Sequence, residues 1–148
     1  MGKSYYSTVF DAPAAQVWAA ARDFNGLATW FSSSVSTSAI EDGKTGESVS
    51  AVRNFLFGDS RIREQMVALS DVDCSYTYVF CDPAPFPVKN YLATLRVTPI
   101  TDGDRAFVEW WTTFDCAADE LDHWTAFFAS NVFAPALASL RESIKQSV

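Results

Sequence analysis

Apolar and polar side chains alternate with a period of two through most of the chain, and the period lengthens to a helical one only near the two ends. Residues 4–10 are rich in aromatic and β-branched types and predict a strand. Asp11 follows as a candidate N-cap with Pro13 inside the first turn, so the alanine-rich residues 14–22, anchored by Val17 and Trp18, predict a short helix. Asp23-Phe24-Asn25-Gly26 breaks it, and residues 27–31 read as a second brief helical turn.

Six further strands are expected, at residues 34–41, 47–57, 61–69, 74–81, 88–100 and 106–116. Short turn signals separate them, among them Asp42-Gly43, Gly58-Asp59 and Asp102-Gly103-Asp104, so most neighbours pair as a meander. Asp119 is a second candidate N-cap, with Glu120 and Asp122 where a helix N-terminus favours negative charge. Leu121, Trp124, Phe127, Phe128, Val132, Leu137, Leu140 and Ile144 then recur at helical spacing. A long amphipathic helix closes the chain, and Pro135 predicts a kink at residues 131–135. The expected class is α+β, one domain over residues 1–148, with seven strands in a curved antiparallel sheet, two short helices after the first strand and a long C-terminal helix.

Composition narrows the function classes. Hydrophobic residues are 49% and charged residues 20% of 148, and no apolar run approaches a membrane span, so integral membrane contact is not expected. Net charge is −7 with scattered Lys and Arg, which argues against nucleic acid as a partner. Cys74, Cys81 and Cys116 have neither metal-site nor redox spacing and read as free thiols of a reducing compartment, so the expected location is the cytoplasm, and no signal peptide pattern is seen. No metal site, phosphate-cradling glycine loop or other cofactor motif is present, and the lone His123 has no Ser or Cys partner at a recognisable spacing. Twelve Phe, five Tyr and five Trp exceed what an ordinary core of this size needs, which favours a cavity lined for an apolar ligand.

The order of elements, together with Ala12-Pro13 before Val17-Trp18, Asp23-Phe24, residues 27–30, Val52-Arg53, Arg63-Glu64 and Lys89-Asn90-Tyr91, resembles the helix-grip superfamily called SRPBCC. That group includes START lipid-transfer domains, bacterial polyketide cyclases and dehydrases, plant abscisic-acid receptors and pollen allergens. The resemblance covers essentially the whole chain and implies a sheet wrapped around the C-terminal helix with a hydrophobic cavity between them. By similarity to the receptor branch, Glu64, Tyr91 and Glu109 fall at polar pocket positions, and Arg53, Phe55 and Phe57 on the inward strand parity. Phe31 stands where those receptors use a lysine for the hormone carboxylate, and Leu56-Phe57-Gly58-Asp59 replaces their gate loop, which argues against abscisic acid as the ligand.

On this reading Glu64 and Glu109 are candidate acid–base groups, and Arg53 is either the counter-ion of Glu64 or an anchor for a ligand oxygen. Tyr78 and Tyr91 would orient a ligand through their hydroxyls, beside Phe80 on the same concave face. Trp124, Phe127, Phe128 and Asn131 would meet it from the closing helix. Phe86, in a loop with three prolines within residues 83–87, would plug the cavity mouth. The first functional reading is binding or transport of a small hydrophobic molecule such as a lipid, polyketide or isoprenoid. The alternative is a cofactor-free polyketide cyclase or dehydrase in which a cavity carboxylate moves protons while Tyr91 or Arg53 steadies an oxyanion. A third is homodimerisation through an outward-facing Trp110 or Trp111.

Overall fold

The seven expected strands form one antiparallel sheet in a computed structural model that describes residues 1–146. They are β1 (Gly2–Phe10), β2 (Val35–Ile40), β3 (Val52–Phe57), β4 (Ser60–Ser70), β5 (Ser75–Phe80), β6 (Lys89–Ile100) and β7 (Arg105–Asp115). Their order is β1-β7-β6-β5-β4-β3-β2, so the first two strands lie at opposite edges. The helices α1 (Ala14–Ala21) and α2 (Leu27–Trp30) bridge that gap. Register shifts between Ser36 and Ala39, Met66 and Ala68, and Lys89 and Leu92 interrupt the ladders. Thr37 and Asn90 take positive φ at two of them. Each irregularity strengthens the local bend, and the sheet wraps its concave face around the C-terminal helical segment.

Period-two burial identifies the inward set. Arg53 and Phe55 of β3, Ile62, Glu64 and Met66 of β4, Tyr76 and Tyr78 of β5, and Tyr91, Ala93, Leu95 and Val97 of β6 are all buried. On β7 the buried residues are Ala106, Val108, Trp110, Thr112 and Phe114, so the intervening Glu109 and Trp111 face outward. Phe10 and the buried face of α1, which comprises Ala14, Val17, Trp18 and Ala21, belong to the same core as the closing helix residues Leu137, Leu140 and Ile144.

Three local expectations are corrected. Pro13, rather than Asp11, occupies the N-cap of α1, its carbonyl accepting from the amides of Gln16 and Val17 without a side-chain cap. Residues 47–51 are not strand, because a 3₁₀ turn at Glu41–Gly43, with Asp42 at φ 59°, sends the chain away from the sheet before β3. The closing helix is segmented into a 3₁₀ turn (Ala118–Glu120, N-cap Ala117 rather than Asp119), α3 (Leu121–Phe127), a π-helical turn (Phe128–Phe133) and α4 (Ala134–Gln146). The expected break near Pro135 therefore takes the form of a wider turn instead of a bend. Widening the coil to i→i+5 bonding, as in Ala134 N–H to Ala129 O, gives the proline ring room and needs no donor from it.

Two polar clasps hold the loops that frame the concave face. Arg22 donates from Nε and Nη2 to Asp71 at 3.0 Å each and from Nη1 to Glu47 at 2.6 Å, while Trp18 Nε1 donates to Asp71 at 2.8 Å. The adjacent Gly46 accepts from the Phe24 amide, and a Cβ on it would lie 2.2 Å from Asp23 Oδ1, so only glycine permits this approach. The second clasp is Glu41, which accepts two bonds from Arg63 at 2.7 Å and one from Asn54 at 2.8 Å.

The Arg63 bond is the largest influence holding the Glu41 carboxyl down from 4.5 to about 2. A depressed carboxylate stabilises the fold above its unfolded value, and that contribution is lost as the pH falls through its folded one. Glu41→Gln should therefore melt below the native protein at pH 6, with the two melting temperatures converging as the pH falls from 4.5 toward 2. A constant gap in thermal unfolding across that range would show that Glu41 plays no such part.

Candidate functional site

The concave face and the helical segment enclose an aromatic pocket whose polar groups are confined to its base. There, β3 and β4 place Arg53 and Glu64 directly opposite each other in register. Arg53 Nε donates to Glu64 Oε1 at 2.8 Å and Nη1 donates to the Phe24 carbonyl at 3.2 Å. The guanidinium lies 4.0 Å from the Phe24 ring centroid and 4.8 Å from that of Tyr78. Side-chain exposure is 1% for Arg53 and 7% for Glu64, so the pair is shielded from bulk water. Glu64 Oε2 takes no hydrogen bond from a described residue.

Burial is the main influence on Glu64 and raises its pKa, with Arg53 only partly opposing it. Burial also works against the Arg53 charge, but the Glu64 carboxylate outweighs it and keeps the guanidinium ionised. Tyr78 and Tyr91 are both raised by desolvation and stay neutral. Trp110 Nε1 donates to the Tyr78 hydroxyl at 3.0 Å, which fixes that oxygen beside the pocket. Below them the Tyr76 hydroxyl is buried with no hydrogen-bond partner, outside the lining.

Most of the residues expected at the cavity meet there. Arg53, Phe55 and Phe57 line it from β3, Glu64 from β4, Tyr78 and Phe80 from β5, Tyr91 from β6 and Phe128 from the π turn. Phe86 enters from the loop between β5 and β6 and packs on Phe80, Trp124, Phe127 and Phe128 with ring centroids 5.3–6.0 Å apart. Trp124 and Phe127 support that ring from behind without lining the pocket, and Asn131 is exposed. Phe128 and Phe133, five residues apart, both reach the core across the π turn, which leaves Asn131 on the opposite side.

Glu109, expected to share the pocket with Glu64, lies instead on the outer face, its Oε2 accepting the Tyr5 hydroxyl at 2.6 Å. Trp110, expected to face outward, is buried and stacks on Phe133 at 4.8 Å. Trp111 alone of that pair lies outside, against Tyr5. Lining residues that the sequence reading missed are Leu27 and Phe31 after α1, Val35 on β2, Ile62, Trp110, Val132 and Ala136. Ile62 shares the strand parity of Glu64, and Val132 and Ala136 follow Phe128 at four-residue steps, so both signals were present.

The enclosed free space is only ≈ 30 Å³, room for about two waters. A second recess of ≈ 430 Å³ opens beside it, lined by Phe80, Asp82, Ala84, Val88, Lys89, Asn90 and Tyr91. Phe80 and Tyr91 belong to both spaces, and their rings stack at 3.9 Å with an 18° interplanar angle to form the partition. Among the described residues, no group of three or more His, Cys, Asp or Glu is arranged to hold a metal ion, and no helix is long and apolar enough to cross a membrane.

A family model described as polyketide cyclase / dehydrase and lipid transport matches residues 1–147. No curated protein matches the sequence. A solution structure from Thermobifida fusca is 28% identical with a TM-score of 0.86, covering 99% of this chain and 95% of that one. The protein XoxI from Bacillus cereus is 27% identical with a TM-score of 0.83, covering 99% and 98%. Norcoclaurine synthase from Thalictrum flavum, in complex with dopamine and hydroxybenzaldehyde, shares the fold at 11% identity, with a TM-score of 0.79 and coverage of 99% and 87%.

Proposed function

Because the chain belongs to the polyketide cyclase / dehydrase and lipid transport family, we propose that it binds a small, largely apolar molecule whose one polar group is held at the Arg53–Glu64 pair. The observation that carries this reading is the pair itself, buried at the base of an otherwise aromatic pocket with one carboxylate oxygen left without a protein partner. Few, fixed polar groups in an apolar lining are what orients a ligand. A hydroxyl or amide on the ligand would donate to Glu64 Oε2, while the Tyr78 and Tyr91 hydroxyls flank the same spot.

Access requires a change, since ≈ 30 Å³ holds no organic molecule. Phe86 is the side chain to move: it is half-buried, sits on a loop, and fills the mouth with its ring. Apolar-probe fluorescence and native mass spectrometry of the purified protein test the reading. Phe86→Ala should strengthen probe binding about tenfold, because the closed form that competes with the ligand is removed. Absence of any bound apolar species in both proteins would dismiss the pocket as a binding site.

A second reading is favoured by Glu64 alone. Its raised pKa and unpartnered oxygen suit a general base that takes a proton from carbon between two carbonyls. The enolate would then add to a second carbonyl, with Arg53 or Tyr91 steadying the oxyanion and Glu64 returning the proton before loss of water.

A further inference from the structure

The inner pocket and the recess beside it divide the charges of the site between them. Inside, Arg53 and Glu64 neutralise each other at 2.8 Å, and a third charge brought there would remain unpaired in an apolar surround. An ionised group on a ligand must therefore stay at the mouth. The recess at that mouth carries Asp82 on the loop and Lys89 at the start of β6, both exposed. Neither has an ion-pair partner among the described residues. Asp115, which faces Lys89 across the β6–β7 ladder, is engaged by Asn90 Nδ2 at 2.8 Å. Ala84 and Val88 supply an apolar floor between the two charges, and the stacked Phe80 and Tyr91 lead inward.

We propose that this recess is a head-group site and that the ligand is amphipathic, with a head bearing both an anion for Lys89 and an ammonium for Asp82. Its neutral body would pass Phe86 into the inner pocket. The inference rests on the ligand-binding reading above and adds the class of molecule to it. An α-amino acid head and a phosphate–ammonium lipid head share the required chemistry.

Five probes with one C12 chain separate the cases: dodecanol, dodecanoate, dodecylamine, 2-aminododecanoate and dodecylphosphocholine, titrated below their micelle concentrations by calorimetry. A zwitterionic probe should bind about fivefold more tightly than either singly charged one, the size expected of a solvent-exposed ion pair. Lys89→Met should abolish the advantage of dodecanoate over dodecanol, and Asp82→Asn that of dodecylamine, with dodecanol unchanged in both. Whichever of 2-aminododecanoate and dodecylphosphocholine binds more tightly identifies the source of the head. Dodecanol binding as tightly as the zwitterions would overturn the head-group site while leaving the pocket intact, as would dodecanoate binding best and improving in Asp82→Asn. Failure of all five, dodecanol included, would remove the ligand-binding reading and the head-group site with it.

Discussion

Replacing Arg53 with methionine is expected to destabilise the fold by about 3–5 kcal/mol at pH 7, the size of effect seen when one partner of a buried ion pair is removed. Methionine fills much of the space beside Phe24 and Tyr78, so little of the loss would come from packing. The cost comes from Glu64, left ionised in an apolar surround, and from the Phe24 carbonyl, which loses its donor. Glu64 already has a raised pKa, and without Arg53 it would rise further. A carboxyl raised in the folded state binds its proton more tightly there, so its stability is complete below the unfolded value and falls as the pH climbs through the folded one. The deficit of Arg53→Met should therefore shrink at acidic pH, and Arg53→Met/Glu64→Leu should regain most of it at pH 7. Urea unfolding of the three proteins at both pH values measures this; equal stability of Arg53→Met and the native chain at pH 7 would mean that the pair is not shielded.

The other large effect concerns turnover. If the pocket cyclises poly-carbonyl chains, Glu64→Gln should lower kcat by about 10²–10⁴-fold, the usual contribution of a positioned general base. Glutamine keeps an acceptor for Arg53 Nε, and the Phe24 carbonyl with the flanking rings still surrounds the guanidinium, so the variant should remain folded. In the native enzyme the rate should rise with pH through the raised Glu64 pKa, because the base must be ionised to accept a proton. Thioester-linked poly-carbonyl surrogates, assayed by product formation with melting temperature as the folding control, give the comparison. Identical rates would remove Glu64 from the chemistry, and rates at background for both proteins would leave binding as the activity.

Strand order and most of the pocket could be read from alternation because inward and outward positions differ in polarity. On β4, Ile62 and Met66 share the parity of Glu64, so an isolated carboxylate among apolar neighbours signalled burial. The same test applied to β7 would have turned Glu109 outward, since it shares parity with Arg105 and Asp115 while Val108, Trp110 and Phe114 form the apolar set. Placing Glu109 by family resemblance overrode that periodicity. The clasps at Glu41 and Asp71 were not legible, because each joins segments far apart in sequence through side chains of ordinary polarity. Nor was the near-closure of the cavity, which depends on how Phe86 packs against four rings rather than on which residues face inward.

The π turn at Phe128–Phe133 can also be counted as one residue more than an α-helix would use for the same span. A residue advances an α-helix by roughly 100°, so deleting Ser130 would restore regular pitch and rotate everything after it by that angle. Leu137, Leu140 and Ile144 would leave the core together, and the Phe133 ring would come off Trp110. Substitutions at Ser130, which is exposed, should be benign, whereas a change in length there resets the phase of the whole C-terminal element. The alignment between the aromatic mouth and the aliphatic end of the cavity is thus held by residue count as much as by residue identity.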